Sequence, residues 1–267
     1  MPDQKLSGRS VVKIFFASSS KVWEDPSWVA EIAEVGFDGW EISADGNYRL
    51  DKPETFSAVR KVIEETGLDV SVHAPFSDLN PASINMPIWE ETVRQFTVCI
   101  EQAAELTDTV VLHPGYLSPV SRFDGASAWN NHKKACIRLG ETAERVGVTA
   151  CLENMPNLDD FFCRDPYEQE GFVDGVPGMG LVLDIGHANT TGNLDEFCKI
   201  ILPKAHHLHI HDNHGKYDEH LSLGSGTINW DKIMPRIVKE YKGKIIVVEG
   251  RNPKEGKKSL EFLRKWI

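Results

Sequence analysis

LVLDIGH (residues 181–187) decides the fold prediction, because a short apolar run ends in an acidic residue and breaks two residues later at a glycine. Five other runs have a similar form, in which an apolar segment ends in His or Glu and a turn follows. They are VSVHAP (70–75), VVLHPG (110–115), ACLENMP (150–156), HLHIHDN (207–213) and IIVVEGRNP (245–253). A β-strand of this kind directs its last polar side chain out of its carboxyl end. If the strands are parallel and close into a barrel, the six endings meet at one mouth.

Strand-like and helix-like segments alternate along the whole chain. The β-rich runs are residues 11–17, 38–43, 69–73, 109–113, 148–153, 180–185, 205–210 and 244–249, and amphipathic stretches lie between most of them. Near-continuous apolar strands are typical of a parallel sheet that is covered on its outside. The pattern predicts an α/β protein with a single (β/α)8 TIM barrel of residues 11–267, after an N-terminal tail of residues 1–10. A doubly wound open sheet is the alternative, but it offers a crevice and not a ring.

Length and composition agree with one globular domain. The chain has 267 residues, 41% of them hydrophobic and 26% charged, and a typical barrel of this class has about 250. The net charge of -11 disfavours a polyanionic partner for the surface as a whole. Five cysteines without a CxxC spacing indicate reduced thiols. Since we find no membrane-spanning run and no signal-like start, we expect a cytoplasmic protein without a membrane partner. The oligomeric state stays open, with a homo-oligomer among the alternatives.

Residues 154–179 break the alternation. They contain aromatic, acidic, Gly and Pro residues without a long helical period. Connections of this length are frequently active-site lids. Because the segment directly follows Glu153, we predict a lid over the mouth of the barrel, with a peripheral decoration as the alternative.

Four strand-end side chains form the main candidate metal site: Glu153, Asp184, His209 and Glu249. They end the fifth to eighth strands, and adjacent strands hold their ends a few ångströms apart, so the four can share one cation. A set of His and carboxylate ligands suits a divalent metal. We predict manganese, zinc, magnesium or cobalt, with one to three ions.

Further ligands lie near this set. His73 and His113 end the third and fourth strands, and together with Glu153 they predict a second metal site. Asp218 and His220 form a loop pair that supplies a third site with His187, or only caps the loop.

Five residues are candidates for substrate binding: His187, Glu41, His211, Lys216 and Arg251. Glu41 binds substrate hydroxyls or only a neighbouring basic side chain, and His211 is also an alternative to His209 as a ligand. Lys216 and Arg251 lie in loops on the mouth side, where they hold a phosphate or are simply solvated. His132 lies in a helical stretch and is expected at the surface.

With these motifs the chain resembles the xylose-isomerase-like TIM-barrel superfamily, which includes sugar-phosphate isomerases and epimerases and endonuclease IV. The resemblance runs from about residue 11 to residue 267. The segments GFDGWEIS (36–43), VHAPFSDLN (72–80), LENMP (152–156), LDIGH (183–187) and VVEGRNP (247–253) are most similar to the isomerase/epimerase branch. In that branch the resemblance implies one divalent metal on Glu153, Asp184, His209 and Glu249, with His187 touching the substrate.

The metal ligands of the endonuclease IV branch also match this sequence. The resemblance places its three-zinc ligands at His73, His113, Glu153, Asp184, His187, His209, Asp218, His220 and Glu249, and Phe76 falls near an aromatic residue of its DNA-facing loop. Two departures count against this branch. Its Gly-Gln-Gly continuation after the fifth strand is replaced by Met155-Pro156-Asn157, and its DNA-penetrating loop is not evident in residues 43–54.

The predicted function is therefore a divalent-metal-dependent sugar or sugar phosphate isomerase or epimerase. Glu153 and Glu249 would form the acid/base pair and act through an enediolate. The alternatives are an endonuclease IV-like zinc phosphodiesterase acting on abasic-site DNA, the only alternative with a nucleic-acid partner, and a non-catalytic metal-binding module. The sequence leaves open which sugar is bound, whether it is phosphorylated, and whether it is isomerised or epimerised.

Overall fold

Eight parallel strands close into a barrel in the computed structural model, which describes residues 12–267. The strands are β1 (Lys13–Ala17), β2 (Gly39–Ser43), β3 (Asp69–His73), β4 (Thr109–Leu112), β5 (Thr149–Glu153), β6 (Met179–Asp184), β7 (His207–Ile210) and β8 (Ile245–Glu249). Each strand pairs with the next, and β8 pairs with β1. The predicted (β/α)8 barrel is confirmed, while the predicted tail of residues 1–10 lies outside the described residues.

Helices surround the barrel. They are α1 (Ala30–Val35), α2 (Pro53–Thr66), α3 (Met86–Ala103), α4 (Gly125–Val146), α5 (Pro166–Val173), α6 (Ile185–Thr190), α7 (Leu194–Ile200), α8 (Trp230–Glu240) and α9 (Pro253–Leu263). The main apolar core includes Phe16, Trp40, Ile42, Phe96 and Phe197, each at most 1% exposed. Burying a large apolar side chain contributes about 1.5–3 kcal/mol. Within residues 12–267, no helix is both long and apolar enough to cross a membrane.

Strand alternation sorts the interior of the barrel into layers, because successive side chains point to opposite faces. The middle layer includes the buried apolar residues Phe15, Val111, Cys151, Val182 and Val247. Two residues further toward the carboxyl ends of the strands, the next inward-facing layer is polar. It contains His73, Glu153, Asp184, His209 and Glu249. Asp184 pairs in register with His209 on the next strand. The fold therefore carries a ring of titratable groups above a layer that combines these apolar residues with the buried polar side chains of Glu41, Ser71 and His207.

Helix α5 lies within the segment predicted as a lid. The Asp165 carboxylate caps it by accepting hydrogen bonds from the backbone N–H groups of Tyr167 (2.9 Å) and Glu168 (3.2 Å). The buried Gln169 donates from Nε2 to the carbonyl oxygens of Leu152 (2.9 Å) and Val182 (2.7 Å). Part of residues 154–179 is therefore attached to strands β5 and β6, and its closure over the mouth stays a prediction.

The surface position expected for His132 is wrong. His132 is 1% exposed, because helix α4 packs against helix α5. The ring centroid of His132 lies 4.1 Å from that of Phe172, and its Nδ1 is 3.6 Å from the Cys136 sulfur. A helical stretch does not reveal which of its faces a neighbouring, unpredicted helix will cover.

Candidate metal centre

The four residues of the main predicted site come together at the mouth of the barrel. Glu153, Asp184, His209 and Glu249 each offer one ligand atom, and these atoms lie within 4.8 Å of one another. His209 Nδ1 is 2.7 Å from Glu153 Oε1 and 3.4 Å from Glu249 Oε1. Asp184 Oδ2 and Glu249 Oε2 are buried and have no hydrogen-bond partner. We call these four residues the central cluster.

Glu41 lies directly behind the histidine of the central cluster. Its Oε1 is 3.0 Å from His209 Nε2, and its Oε2 is 2.8 Å from His207 Nε2 and accepts a hydrogen bond from the Ser71 hydroxyl (2.9 Å). All four side chains are fully buried. Glu41 Oε1 and His209 Nε2 are in contact without a hydrogen bond, but the negative charge of the carboxylate favours the proton of His209 on Nε2 and leaves the lone pair of Nδ1 toward the central cluster.

A second cluster uses the other oxygen of Glu153. Glu153 Oε2 is 3.4 Å from His73 Nε2 and 3.2 Å from His113 Nε2. His73 Nδ1 lies 2.9 Å from the carbonyl oxygen of Ala74, which places its proton on that nitrogen and leaves the lone pair of Nε2 toward Glu153. The predicted His73, His113 and Glu153 set is therefore brought together, with Glu153 shared between two clusters.

A third cluster surrounds Asp218. His187 Nε2 and His220 Nε2 lie 3.3 Å and 2.9 Å from Asp218 Oδ2, and His211 Nε2 lies 3.2 Å from Oδ1. His187 is held by helix α6, whose first turn is capped where the Asp184 carboxylate accepts from His187 N–H (2.6 Å). The predicted set of His187, Asp218 and His220 is thus present, and His211 joins it.

All three clusters place imidazole nitrogens against carboxylate oxygens. In each cluster, one ring has its far nitrogen beside an acceptor-only oxygen, so a lone pair of its near nitrogen faces a carboxylate. These facing lone pairs repel unless a proton or a metal cation lies between them, and in a buried site that repulsion is costly. Histidine nitrogens and carboxylate oxygens are the ligands of zinc and manganese. The residues therefore fit divalent metal ions.

The pKa values show the same electrostatic coupling. Burial alone would lower the pKa of His209, but Glu41, Glu153 and Glu249 raise it well above its usual value. Burial also opposes the charged form of His187, whose pKa Asp184 and Asp218 raise well above its usual value.

The two carboxyl groups predicted as the acid/base pair shift in opposite directions. Burial would raise the pKa of Glu153, but the charge of His209 and a hydrogen bond to His113 hold it well below its usual value. Burial raises the pKa of Glu249 above its usual value. Environments that separate the pKa values of two carboxyl groups are how a site sets an acid apart from a base.

The clusters line a cavity of about 200 Å³, which limits its occupant to a small molecule. Its wall also includes Ala17, Ser18, Ser19, Ser43 and Phe76. The Phe76 ring stacks on His113 with centroids 4.6 Å apart and meets His73 edge-on at 5.4 Å. Among the described residues, no Lys or Arg lines this cavity.

Glu41 and His187 line this wall, and the other three predicted substrate residues, His211, Lys216 and Arg251, do not. The amino group of Lys216 sits over the Tyr217 ring, 4.9 Å from its centroid. The backbone carbonyl of Arg251 accepts a hydrogen bond from the Ser18 hydroxyl (3.0 Å), and its side chain is exposed. Their roles in substrate binding stay predictions.

Some residues of the cavity wall were not predicted from the sequence. Ser18 and Ser19 directly follow strand β1, and Ser43 ends strand β2. Only their position in the sequence could have identified them, because they lie at the carboxyl ends of their strands, as the charged ligands do on the other strands. Asn154 has a clearer structural role. Its side-chain amide accepts from the backbone N–H of Asp184 (2.7 Å) and donates to the backbone C=O of Asp184 (2.9 Å), and its own backbone carbonyl oxygen lies 2.8 Å from His187 Nδ1.

Comparison with known proteins agrees with this architecture. Residues 29–266 match the protein family described as Xylose isomerase-like TIM barrel. The uncharacterized protein MJ1311 of Methanocaldococcus jannaschii is 34% identical over 274 residues, which cover 98% of this chain and 93% of that protein. The crystal structure of a D-tagatose 3-epimerase-like protein has 34% identity and a TM-score of 0.88, and the match covers 95% of this chain and 96% of that one. Endonuclease IV from Thermus thermophilus shares the fold at a TM-score of 0.68 and 21% identity, over 95% of this chain and 98% of that one. The chain therefore belongs to the xylose isomerase-like TIM-barrel family.

Proposed function

We propose that the protein is a divalent-metal-dependent isomerase or epimerase of a sugar. The observation that carries this proposal is the pair of Glu153 and Glu249 in one buried cluster with pKa values shifted in opposite directions. The similarity to a D-tagatose 3-epimerase-like protein supports the reaction class. Glu153, Asp184, His209 and Glu249 would hold a divalent ion, which when bound polarises a carbonyl group and the neighbouring hydroxyl.

Glu249 is the group best placed to move the proton. Its Oε2 is buried without a hydrogen-bond partner, so a lone pair is available to take a proton from the substrate carbon beside the carbonyl. Because burial raises the pKa of Glu249, the carboxylate is a stronger base than an exposed one. The substrate passes through an enediolate, and the proton then returns to a carbon from the carboxyl group.

Glu153 faces Glu249 across the central cluster and serves as the second proton carrier. Its Oε2 lies 3.2 Å from His113 Nε2. Burial lowers the pKa of His113, which favours the neutral imidazole beside this carboxylate. Epimerisation uses both carboxyl groups on opposite faces of the carbon, whereas aldose–ketose exchange needs only one.

The wall of the cavity favours an uncharged substrate. Ser18, Ser19 and Ser43 offer hydroxyl groups for sugar hydroxyls, and Phe76 gives one apolar side that excludes water. Since no Lys or Arg among residues 12–267 lines the cavity, a phosphorylated sugar would meet no side-chain cation there. We therefore propose a sugar without a phosphate group.

Glu249→Gln tests the proposal. With the metal-reconstituted protein and a panel of ketoses in D₂O, the wild type should exchange the hydrogen beside the carbonyl for deuterium, as seen by NMR. The variant should lose about 10²–10⁴-fold of that rate, while Glu261→Gln, an exposed change on helix α9, should keep it. Full exchange by Glu249→Gln would remove the acid/base assignment.

The three donor clusters specifically favour a second candidate, a zinc phosphodiesterase acting on abasic-site DNA. Two or three ions would generate hydroxide and stabilise the leaving oxygen. The net charge of -11 and the cavity wall without Lys or Arg among the described residues disfavour it, because duplex DNA needs cationic contacts. Cleavage of an abasic duplex that Asp218→Ala and His220→Ala abolish, without any ketose exchange, would select this candidate.

A further inference from the structure

We propose that Asp212 is a positioning residue, which holds the loop between strand β7 and helix α8 against the mouth of the barrel. We call this segment, residues 211–229, the β7–α8 loop. It carries Asp218 and His220, two residues of the cavity wall, whereas Asp212 is not part of that wall. Asp212 therefore acts through these two side chains. Because the inference concerns the geometry of the loop alone, it does not depend on the proposed isomerase function.

The Asp212 carboxylate is fully buried and accepts four hydrogen bonds. Its Oδ1 accepts from the backbone N–H groups of Asn213 (2.9 Å) and Ile228 (3.4 Å). Its Oδ2 accepts from the backbone N–H of Gly224 (2.9 Å) and from the indole N–H of Trp230 (2.8 Å). A buried carboxylate is stable only with such partners. Since the partners come from both ends of the β7–α8 loop, the carboxylate holds the two ends together.

The backbone of the loop is also arranged around Asp212. Asp212 and Leu221 exchange two N–H···O=C hydrogen bonds, both 2.9 Å long, and Leu221 directly follows His220. A Cβ atom on Gly226 would lie 2.3 Å from Asp212 Oδ1, so the returning chain reaches the carboxylate only because residue 226 has no side chain. His220 is therefore next to a residue that Asp212 fixes.

Asn213 fastens the same loop to helix α6. Its Nδ2 donates to the carbonyl oxygen of Gly186 (2.8 Å), and its Oδ1 accepts from Asn189 Nδ2 (2.8 Å). Helix α6 also carries His187, whose Nε2 lies 3.3 Å from Asp218 Oδ2. Hydrogen bonds at the base of the loop thus join the two sides of this contact.

The tip of the loop faces solvent, since residues 214–218 are exposed, yet Asp218 and His220 reach the mouth. His220 Nε2 lies 2.9 Å from Asp218 Oδ2, and its Nδ1 lies 3.8 Å from Glu249 Oε2 in the central cluster. The separation of His220 and Glu249 therefore depends on how the base of the loop is held, and Asp212 holds that base.

Asp212→Asn removes this anchor with almost no change of size. An amide has one accepting oxygen and one donating nitrogen. Because all four partners of Asp212 donate, the NH₂ group faces two N–H groups whichever way the amide is turned. Asp231→Asn is the matched control, the same change at an exposed position on helix α8. Gly226→Ala is a second variant, which keeps the carboxylate but displaces the chain that contacts it.

NMR signals of the histidine ring nitrogens test the proposal without an activity assay. The proteins are labelled with ¹⁵N and stripped of metal, and His214→Asn and His220→Asn variants assign the two signals. In Asp212→Asn and Gly226→Ala the His220 signal should move toward that of His214, whose side chain is 56% exposed. Protection of the amide groups of residues 221–228 against hydrogen exchange should fall roughly 10-fold or more. Asp231→Asn should change neither.

The His220 signal separates positioning from a contribution to stability alone, because the latter would leave His220 in place in the folded protein. Circular dichroism checks that each variant is folded. An unchanged His220 signal in either folded variant would overturn the proposal. If Asp212→Asn does not fold, Gly226→Ala decides in the same way.

Discussion

Two regions of this protein bury histidine completely, and the consequences are opposite. His132 packs between helices α4 and α5, where burial and the neighbouring Lys133 lower its pKa to about 3. His209 is buried just as fully at the barrel mouth, but three carboxylates raise its pKa well above its usual value. Burial alone favours the neutral imidazole, whereas burial among carboxylates favours the charged form. The flank of the barrel packs its histidine against apolar side chains, and the mouth surrounds its histidine with carboxylates.

The largest expected effect on metal affinity comes from replacing Glu153, the carboxylate that two clusters share. Glu153→Gln removes the charge facing His209 on one side and His73 and His113 on the other. Affinity for divalent ions should fall by more than about 100-fold, beyond the effect of a change behind a ligand. Metal content per chain after dialysis, measured by elemental analysis, checks this.

Glu64→Gln, an exposed change on helix α2, is the control for Glu153→Gln and should keep the wild-type metal content. A Glu153→Gln variant with the same number of ions as the wild type would show that the two clusters do not share this ligand.

A smaller effect on metal affinity is expected from Glu41, which contacts the ring of His209 on the side away from the central cluster. Glu41→Gln replaces the carboxylate that lies 3.0 Å from His209 Nε2 with a neutral amide, which attracts a proton on that nitrogen less strongly. We expect a roughly 10–100-fold loss of metal affinity with the fold retained, measured by calorimetric titration. Ser71→Ala removes only the hydroxyl that donates to Glu41 and should cost less. Equal affinities for Glu41→Gln and wild type would leave Glu41 without a role in positioning His209.

The smallest effect is expected at His132, where only the pH dependence of stability should change. The folded pKa of His132 is about 3 against a usual value of 6.5, so below pH 6.5 the unfolded chain binds more protons and the free energy of unfolding falls as the pH drops toward 3. His132→Phe removes this proton uptake. Its unfolding free energy between pH 6 and 4 should fall less steeply than that of the wild type, by up to about 1.4 kcal/mol per pH unit.

Urea unfolding of the metal-stripped proteins across this pH range measures that slope. Asn130→Ala, an exposed change of a non-titrating residue on helix α4, should keep the wild-type slope. If His132→Phe and wild type lose stability in parallel, His132 is not held neutral by burial.

Most of the fold and the central cluster could be predicted from the sequence because both follow from local patterns. A strand places alternate residues inward, so the last inward position of each strand is recognisable as a polar residue before a turn. Glu153, Asp184, His209 and Glu249 all satisfy this rule and converge.

The remaining features depend on contacts that no local pattern carries. His211 lies beyond strand β7, and its place in the third cluster depends on the clearance above Gly186 and on the path of the following loop. Glu41 ends up behind His209 because strands β2 and β7 face each other across the barrel. Lys216 and Arg251 belong to loops whose side chains a sequence cannot orient.

The most direct test of metal binding at the barrel mouth is anomalous X-ray diffraction from crystals reconstituted with manganese or zinc. We predict a peak within about 2.0–2.2 Å of ligand atoms from Glu153, Asp184, His209 and Glu249. Crystals that contain the four side chains in place but show no anomalous peak between them would contradict a metal-based chemistry at this mouth.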